Sequence, residues 1–451
     1  MRYVGILLVI LSLPGFIIWL RSDKRNYRYA YFAIGFLPFI LGAINLDASL
    51  YDFGGLGYVK GLVVTLLDTL CLAILANSRF KVAGLPFVYL FVAYILAALA
   101  SVLQANGFMP PFTYAFQLTR VLIVFLAVST IMQRKDALRY IAYGLAAGAV
   151  LQGVTSINQR LSGTFQADGT MGHQNLTGMV LHFAVLPLLA MLLAGDRSKI
   201  YLAGVAGGLT AVALGASRGA IAFLALGLVI LFGGSLLRSV TTRKLGVLGL
   251  SVLMIAAASP VVISGLETRL SGIQQNASGY DERAAFEKAA SLIFAEHPLG
   301  VGANQYTLVA NVDGYSARAG VAWAAGSRSA VVHNLYYLTA AELGWFGLLT
   351  LIPLLIWVIV RGLRFSLKHR RDPRGDVVLG CTCAVIAMAL QSNYEWVFVL
   401  SNTQYVFAIS TGIIAGFIAQ RKSEMVKNRL RTSSTTNRRQ AISQAPAKIL
   451  G

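Results

Sequence analysis

Long apolar runs alternate with short polar connections along most of this chain. Each apolar run has roughly 17–25 residues, about the length that a helix needs to cross ~30 Å of hydrocarbon. Because lipid offers no hydrogen-bond partners, backbone groups must be satisfied within their own segment, and each run is predicted to be a helix. The predicted spans are 2–20, 29–45, 57–77, 83–104, 114–132, 138–155, 176–194, 199–215, 217–234, 245–264, 336–360, 376–394 and 402–419. We therefore expect thirteen transmembrane helices, or twelve if one run is re-entrant.

One long polar segment interrupts this pattern and divides the chain. We expect N-terminal transmembrane helices over 1–264, a loop outside the membrane over 265–335, C-terminal transmembrane helices over 336–420 and a disordered tail over 421–451. A long loop in an otherwise compact protein is usually functional. The tail is basic and polar, without apolar periodicity, so its charges are expected to contact membrane lipids.

The long loop carries the signature of an amphipathic helix. Asp281 is a suitable N-cap, and apolar residues follow it at helical spacing until Pro298 ends the pattern. These apolar residues are Phe286, Ala289, Ala290, Ile293 and Phe294. We expect this helix to lie along the membrane surface or over a cavity.

Composition agrees with a membrane protein. Of the 451 residues, 57% are hydrophobic and only 12% are charged, whereas a soluble domain carries roughly 25% charged residues. The fold class is therefore predicted to be an all-α polytopic membrane protein. Cys71, Cys381 and Cys383 all lie in apolar runs, where they are expected to be small packing residues.

The net charge of +20 is explained by the predicted membrane topology and does not indicate nucleic-acid binding. Most of the Lys and Arg residues lie in alternate loops, which the positive-inside rule places in the cytoplasm. The other loops, including 156–175, 265–335 and 395–401, contain few basic residues and are predicted to face the periplasm from a bacterial inner membrane.

Two arginines on the positive-poor side are candidates for binding an anion. Arg218 lies in a tight turn between two spans, within Gly-Ala-Ser-Arg-Gly-Ala, where small neighbours allow close approach; the alternative is an arginine that snorkels to the headgroups. Arg283 lies in the first turn of the amphipathic helix, which suits phosphate binding; the alternative is an intrahelical pair with Glu287.

Two histidines on the same side are candidates for proton transfer. His333 lies where the long loop re-enters the membrane, and His173 lies in Gly-His-Gln-Asn. Histidine is the side chain best matched to proton transfer near neutral pH, although a single loop histidine is more often structural. The periplasmic loops contain no D-x-D or E-x-D pair, and the chain contains no G-x-x-x-x-G-K-[ST] loop, so neither a metal nor another cofactor is predicted.

Several short motifs resemble the O-antigen ligase and polymerase superfamily in their order along the chain. They are Arg-Leu-Ser-Gly-Thr-Phe with Gly-His-Gln-Asn (160–175), Ser-Arg-Gly-Ala (217–220), Arg283, His-Pro-Leu-Gly-Val-Gly-Ala-Asn-Gln-Tyr (297–306), and His-Asn-Leu-Tyr (333–336) with Glu-Leu-Gly (342–344). The likeness covers about 160–361, and elsewhere the chain matches only as hydrophobic helices.

This resemblance implies a GT-C-like enzyme for metal-independent, inverting glycosyl transfer. The implied donor is a glycan on undecaprenyl pyrophosphate. The resemblance leaves the acceptor open, and we expect lipid A–core because a single amphipathic helix in the long loop leaves room for a second lipid. By the resemblance Arg218 and Arg283 hold the diphosphate and His333 assists the acceptor hydroxyl. Supporting candidates are Arg160, His173, Asn334 and Arg120.

Other activities share this donor or this membrane setting. An O-antigen or exopolysaccharide polymerase and a protein O-oligosaccharyltransferase differ from a ligase only in the acceptor. A transporter of lipid-linked glycans would need ionisable groups near the membrane midplane. Lys60 and Asp68, expected on one face of one helix, and Arg120 are the candidates for such a pathway.

Overall fold

A computed structural model gives the architecture over residues 2–42, 47–52, 54, 56–78, 82, 84–134, 136–275 and 281–443. Helices dominate this part of the chain. They are α1 (Arg2–Ser22), α2 (Asn26–Phe36), α3 (Leu66–Ala76), α4 (Val88–Ala100), α5 (Met109–Ile131), α6 (Ala137–Leu161), α7 (Gln174–Ala194), α8 (Lys199–Leu214), α9 (Arg218–Arg238), α10 (Thr242–Gln275), α11 (Glu282–Glu296), α12 (Tyr306–Val312), α13 (Tyr315–Ala319), α14 (Ala325–Ser329), α15 (Leu335–Lys368), α16 (Arg374–Gln391) and α17 (Ser401–Ser443). Two antiparallel strands, β1 (Asp47–Asp52) and β2 (Gly61–Thr65), form the one described sheet.

The fold class is confirmed as an all-α polytopic membrane protein. Seven described helices are long and apolar enough to cross a membrane, namely α5, α6, α7, α9, α15, α16 and the part of α17 up to Lys427. Four shorter apolar stretches lie at Leu7–Ser22, Leu66–Ala76, Val88–Gln104 and Lys199–Leu214. The Cys71, Cys381 and Cys383 thiols are buried, as expected for packing residues.

Some observed helices are shorter than the apolar runs that predicted them. The run 57–77 begins as β2 and becomes helical only at Leu66, where Thr65 and Asp68 form a capping box. The run 29–45 leaves α-helical geometry at Phe36, next to Pro38, and its last residues from 43 onward lie outside the described part. Apolar length alone does not distinguish a continuous helix from a strand followed by a helix, because both bury the same residues.

Two helices extend beyond their predicted ends. α10 continues to Gln275, into the segment expected to be a loop from 265. α17 continues to Ser443, where composition predicts disorder from 421. Residues 444–451 lie outside the described part.

The centre of the bundle is α7, which is almost entirely buried. It packs against α6, α8, α9, α16 and α17. Gly178 of α7 faces Ala220 of α9 so closely that a Cβ at position 178 would lie 2.4 Å from the Ala220 Cβ. Small residues allow this close approach of membrane helices, and they place the N-terminal ends of α7 and α9 side by side.

The segment 297–306 is fastened to α15 by backbone hydrogen bonds. Val301 and Gly302 donate to the carbonyl oxygens of Ala341 and Glu342 at 3.0 and 2.9 Å, and Trp345 donates to that of Pro298 at 3.1 Å. The buried Glu342 carboxylate accepts from the Tyr306 amide at 2.9 Å. The motifs at 297–306 and 342–344, which both contribute to the family resemblance, are therefore bonded to each other. We call this set of hydrogen bonds the clasp.

Candidate functional site

Three helix N-termini line one open cleft of about 470 Å³. The lining residues come from the starts of α7, α9 and α11 and from the connection that follows α16. They are Asn175, Ser217, Arg218, Gly219, Ala222, Phe223, Arg283, Tyr394 and Glu395. Unsatisfied amide groups at a helix N-terminus attract anions, so this backbone arrangement favours a negatively charged ligand.

Arg218 enters the cleft from the tight turn between α8 and α9. Ala216 in this turn has a φ of 47°, an uncommon conformation for a residue other than glycine. Ser217 then caps α9 by accepting from the Ala220 amide at 3.4 Å. Arg218 is exposed, and none of the carboxylates in the described residues pairs with it. Its guanidinium is therefore available to a ligand.

Arg283 enters the same cleft from α11. The predicted cap is present, since the Asp281 carboxylate accepts from the amides of Arg283 and Ala284 at 3.1 and 3.2 Å. The Arg283 guanidinium lies 3.4 Å from the Glu395 carboxylate. Glu287 instead accepts from the Asn334 side chain at 3.3 Å, so the intrahelical pair that was the alternative for Arg283 is not the contact observed.

Glu395 is the central residue that sequence reasoning missed. Its side chain is buried, with the residue only 4% exposed. One carboxylate oxygen accepts from Asn175 at 2.5 Å and contacts Arg283, and the other lies 3.6 Å from His333 Nδ1. A buried carboxylate needs compensating partners, and here they come from α7, α11 and the residue that precedes the N-cap of α15.

His333 is held at the entrance to α15. Its ring lies 6.1 Å from the Phe286 ring of α11, and Asn334 caps α15 by accepting from the amides of Tyr336 and Tyr337. At 3.6 Å the His333–Glu395 contact is longer than a hydrogen bond, and neither facing atom has a hydrogen-bond partner among the described residues. Catalytic hydrogen bonds are often long in ligand-free proteins and shorten when a substrate binds.

His173 completes the polar surroundings of Glu395. It caps α7 by accepting from the Asn175 amide through Nδ1 at 3.2 Å. Burial lowers the pKa of His173 below its usual value, and the Glu395 carboxylate opposes that shift while His333 reinforces it. A largely neutral His173 suits its role as a cap acceptor.

The remaining candidates lie in other contacts. Arg160 donates to the Phe165 carbonyl at 2.8 Å and stacks on the ring of the same residue. Arg120 is buried and donates to Asp68 at 3.1 Å, and Tyr405 donates to the same carboxylate at 2.8 Å. Neither arginine lines the cleft.

The pathway considered for a transporter does not form as expected. Lys60 precedes β2, so it does not share a helix with Asp68. Asp68 is only 1% exposed and serves the α3 capping box in addition to Arg120. The prediction that Lys60 and Asp68 line one helix face is wrong, because residues 61–65 form a strand.

Tyr394 and Phe223 form an aromatic wall of the cleft, with ring centroids 6.0 Å apart and nearly parallel planes. The sequence signal that marks this side of the cleft is Asn-Tyr-Glu-Trp at 393–396, which places a carboxylate in a connection between two helices that contains no basic residue. That signal does not identify its partners, which lie far away in the sequence.

The described helices thus carry a cationic cleft at one end of the bundle, backed by a histidine and a carboxylate, and this arrangement favours a negatively charged ligand. Residues 203–352 match the family model described as O-Antigen ligase, which confirms the resemblance to the O-antigen ligase and polymerase superfamily. The matched stretch contains Arg218, Arg283 and His333, whereas Glu395 lies outside it. No curated protein matches the chain.

Proposed function

We propose that this protein is an O-antigen ligase that transfers a glycan from undecaprenyl pyrophosphate to lipid A–core. The observation that carries the proposal is the single cleft in which Arg218 and Arg283 lie among three helix N-termini, next to His333. The match to the O-antigen ligase family over 203–352 supports the same reaction class.

In the proposed reaction the acceptor hydroxyl oxygen attacks the anomeric carbon of the donor sugar. The bond between that carbon and the diphosphate oxygen breaks, and undecaprenyl diphosphate leaves with the bonding electron pair. Arg218 and Arg283 stabilise the charge that develops on the leaving group, because fixed guanidinium groups need no reorganisation. Attack from the opposite side inverts the anomeric centre.

His333 takes the proton of the acceptor hydroxyl in this scheme. Glu395 faces Nδ1 of His333, which favours a proton on that nitrogen and leaves Nε2 as the base. Glu395 also contacts Arg283, so one carboxylate positions both the base and a diphosphate ligand. Asn175 holds the carboxylate in place through its hydrogen bond.

The identity of the acceptor is a separate part of the proposal. A ligase must admit a second lipid whose sugar stands at the membrane surface, so its acceptor side must be open. The cleft is open, and one amphipathic helix, α11, contributes a single residue to its lining. A polymerase would need a longer enclosed groove for its growing glycan.

The deciding experiment uses the purified full-length protein in lipid with a polyprenyl-diphosphate glycan. One sample receives lipid A–core and a second receives no further acceptor. We expect the glycan on lipid A–core in the first sample and an unchanged donor in the second. Lengthening of the donor-linked glycan in the second sample would establish a polymerase, and transfer to an added protein would establish an oligosaccharyltransferase.

A further inference from the structure

A second charged cleft, of about 350 Å³, lies at the opposite end of α15 from His333. We call it the basic cleft. It is formed where the C-terminal part of α15 runs beside α17. Its lining consists of Arg361, Arg364, Phe365, Lys368, His369, Ile418, Arg421, Lys422 and Met425.

The basic cleft has an excess of positive charge that the protein does not neutralise. Its lining contains five Lys or Arg side chains and no carboxylate. The nearest acidic partner is Glu424, which accepts from Arg374 at 2.9 and 3.0 Å and contacts Arg421 at 3.4 Å. Within the described part of the chain, Arg364, Lys368 and Lys422 have no ion pair. Clustered cations without counter-charges repel one another, so an anion in this cleft would relieve that repulsion.

The lining of the basic cleft favours a lipid over a small soluble anion as its ligand. Phe365 is buried and Ile418 half-buried beneath the cations, and both belong to apolar spans. The cleft therefore joins a cationic rim to an apolar wall. Basic pockets between transmembrane helices bind anionic lipid headgroups in this way.

We propose that the basic cleft binds the headgroup of an anionic phospholipid, with a phosphodiester among Arg364, Lys368 and Lys422 and acyl chains along Ile418. His369 donates from Nδ1 to the Phe365 carbonyl at 2.9 Å, which fixes its ring at the edge of the cleft. The positive-inside pattern predicts that this end of α15 faces the cytoplasm. The proposal is independent of the glycosyl transfer described above.

The test is native mass spectrometry of the full-length protein released from an uncharged detergent. The protein is mixed with equimolar phosphatidylglycerol and phosphatidylcholine, and the bound lipid is counted. We expect selective retention of phosphatidylglycerol. The double variant Arg364→Gln with Lys368→Gln should retain it roughly 30-fold less tightly, given the contribution of each cation near a lipid headgroup.

The matched control is Arg370→Gln with Arg371→Gln, which removes the same charge just beyond the C-terminal end of α15, outside the cleft lining. Retention in this control should equal that of the unchanged protein. Equal loss in both double variants would show general charge attraction and overturn the site. A further sample contains inorganic phosphate at the concentration of the lipid; displacement of phosphatidylglycerol by it would show a free-phosphate site instead.

Discussion

At the scale of single residues, the candidate site depends on one buried carboxylate. Glu395 contacts Asn175, Arg283 and His333 from a position that is almost closed to solvent. Ionic contacts are stronger where water is excluded. Glu395 can therefore position a guanidinium and an imidazole together, while Arg218 forms no ion pair within the part of the chain that the structure describes.

Replacing Glu395→Gln should lower the transfer rate by roughly 10²–10⁴-fold, the range contributed by general acid–base catalysis. Glutamine can still accept the hydrogen bond from Asn175, so the thermal stability should change little. The transfer rate at saturating donor should fall more than the affinity for the donor. Both are measured on purified protein in lipid. Glu296→Gln is the matched control, because it breaks the Arg318–Glu296 ion pair of 2.6 Å away from the cleft. Full activity of the Glu395 variant would remove this carboxylate from the mechanism.

Replacing His333→Ala should abolish glycan transfer and leave membrane insertion intact. His333 precedes the α15 cap and is not part of it, so the helix can still begin at Leu335. Surface glycan in cells that carry the variant gives the activity, and the amount of protein in the membrane fraction gives the insertion. Normal surface glycan at equal protein level would contradict the proposed base.

At the scale of elements, the cleft depends on where helices begin. The starts of α7, α9 and α11 converge, and each has a side-chain cap, from His173, Ser217 and Asp281. α15 begins beside them with Asn334 as its cap. Its position is fixed by the clasp to 297–306, where Gly344 adopts φ 58° and ψ −149° within the helix.

Replacing Gly344→Ala should therefore destabilise the protein by roughly 2–5 kcal/mol, from backbone strain and overpacking. A Cβ at position 344 would lie 2.3 Å from the Pro298 carbonyl oxygen. Thermal unfolding in detergent measures the effect. Gly233→Ala in α9 is the control, since a Cβ there meets nothing within 4 Å, and its melting temperature should be equal or slightly higher. An unchanged melting temperature for the Gly344 variant would show that the clasp is not needed.

At the scale of the whole molecule, two charged clefts occupy opposite ends of α15. The cleft with Arg218 and Arg283 combines its cations with a carboxylate and a histidine, which suits chemistry. The basic cleft combines cations and apolar side chains with His369 and has no carboxylate in its lining, which suits binding. Between the two clefts, the buried Asp68 and Arg120 form an ion pair.

Transfer should persist in EDTA and need no nucleotide, because the cations proposed to hold the diphosphate are Arg218 and Arg283. The measurement is product formation by the purified protein with and without chelator. Loss of activity in EDTA that Mg²⁺ or Mn²⁺ restores would place the protein in a metal-dependent class of transferases.

The sequence by itself determined the membrane class and the capped helix α11. These features are local: an apolar run must satisfy its own backbone in lipid, and a cap bonds to amides two or three residues away. It also marked Arg218, Arg283 and His333 as candidates, and their catalytic roles stay predictions. The strand at 61–65 escaped the same reasoning, because an apolar run does not by itself distinguish a strand followed by a helix from one continuous helix.

Only the tertiary structure decided which of these residues meet. Glu395 lies 112 residues from Arg283 and 220 residues from Asn175, and no local pattern encodes either contact. Close packing of α7 against α9, through Gly178 and Ala220, brings the helix N-termini together. The cleft is thus a product of helix packing. Each charged residue can be recognised from its own stretch of sequence, but the convergence of these residues depends on which helices are neighbours.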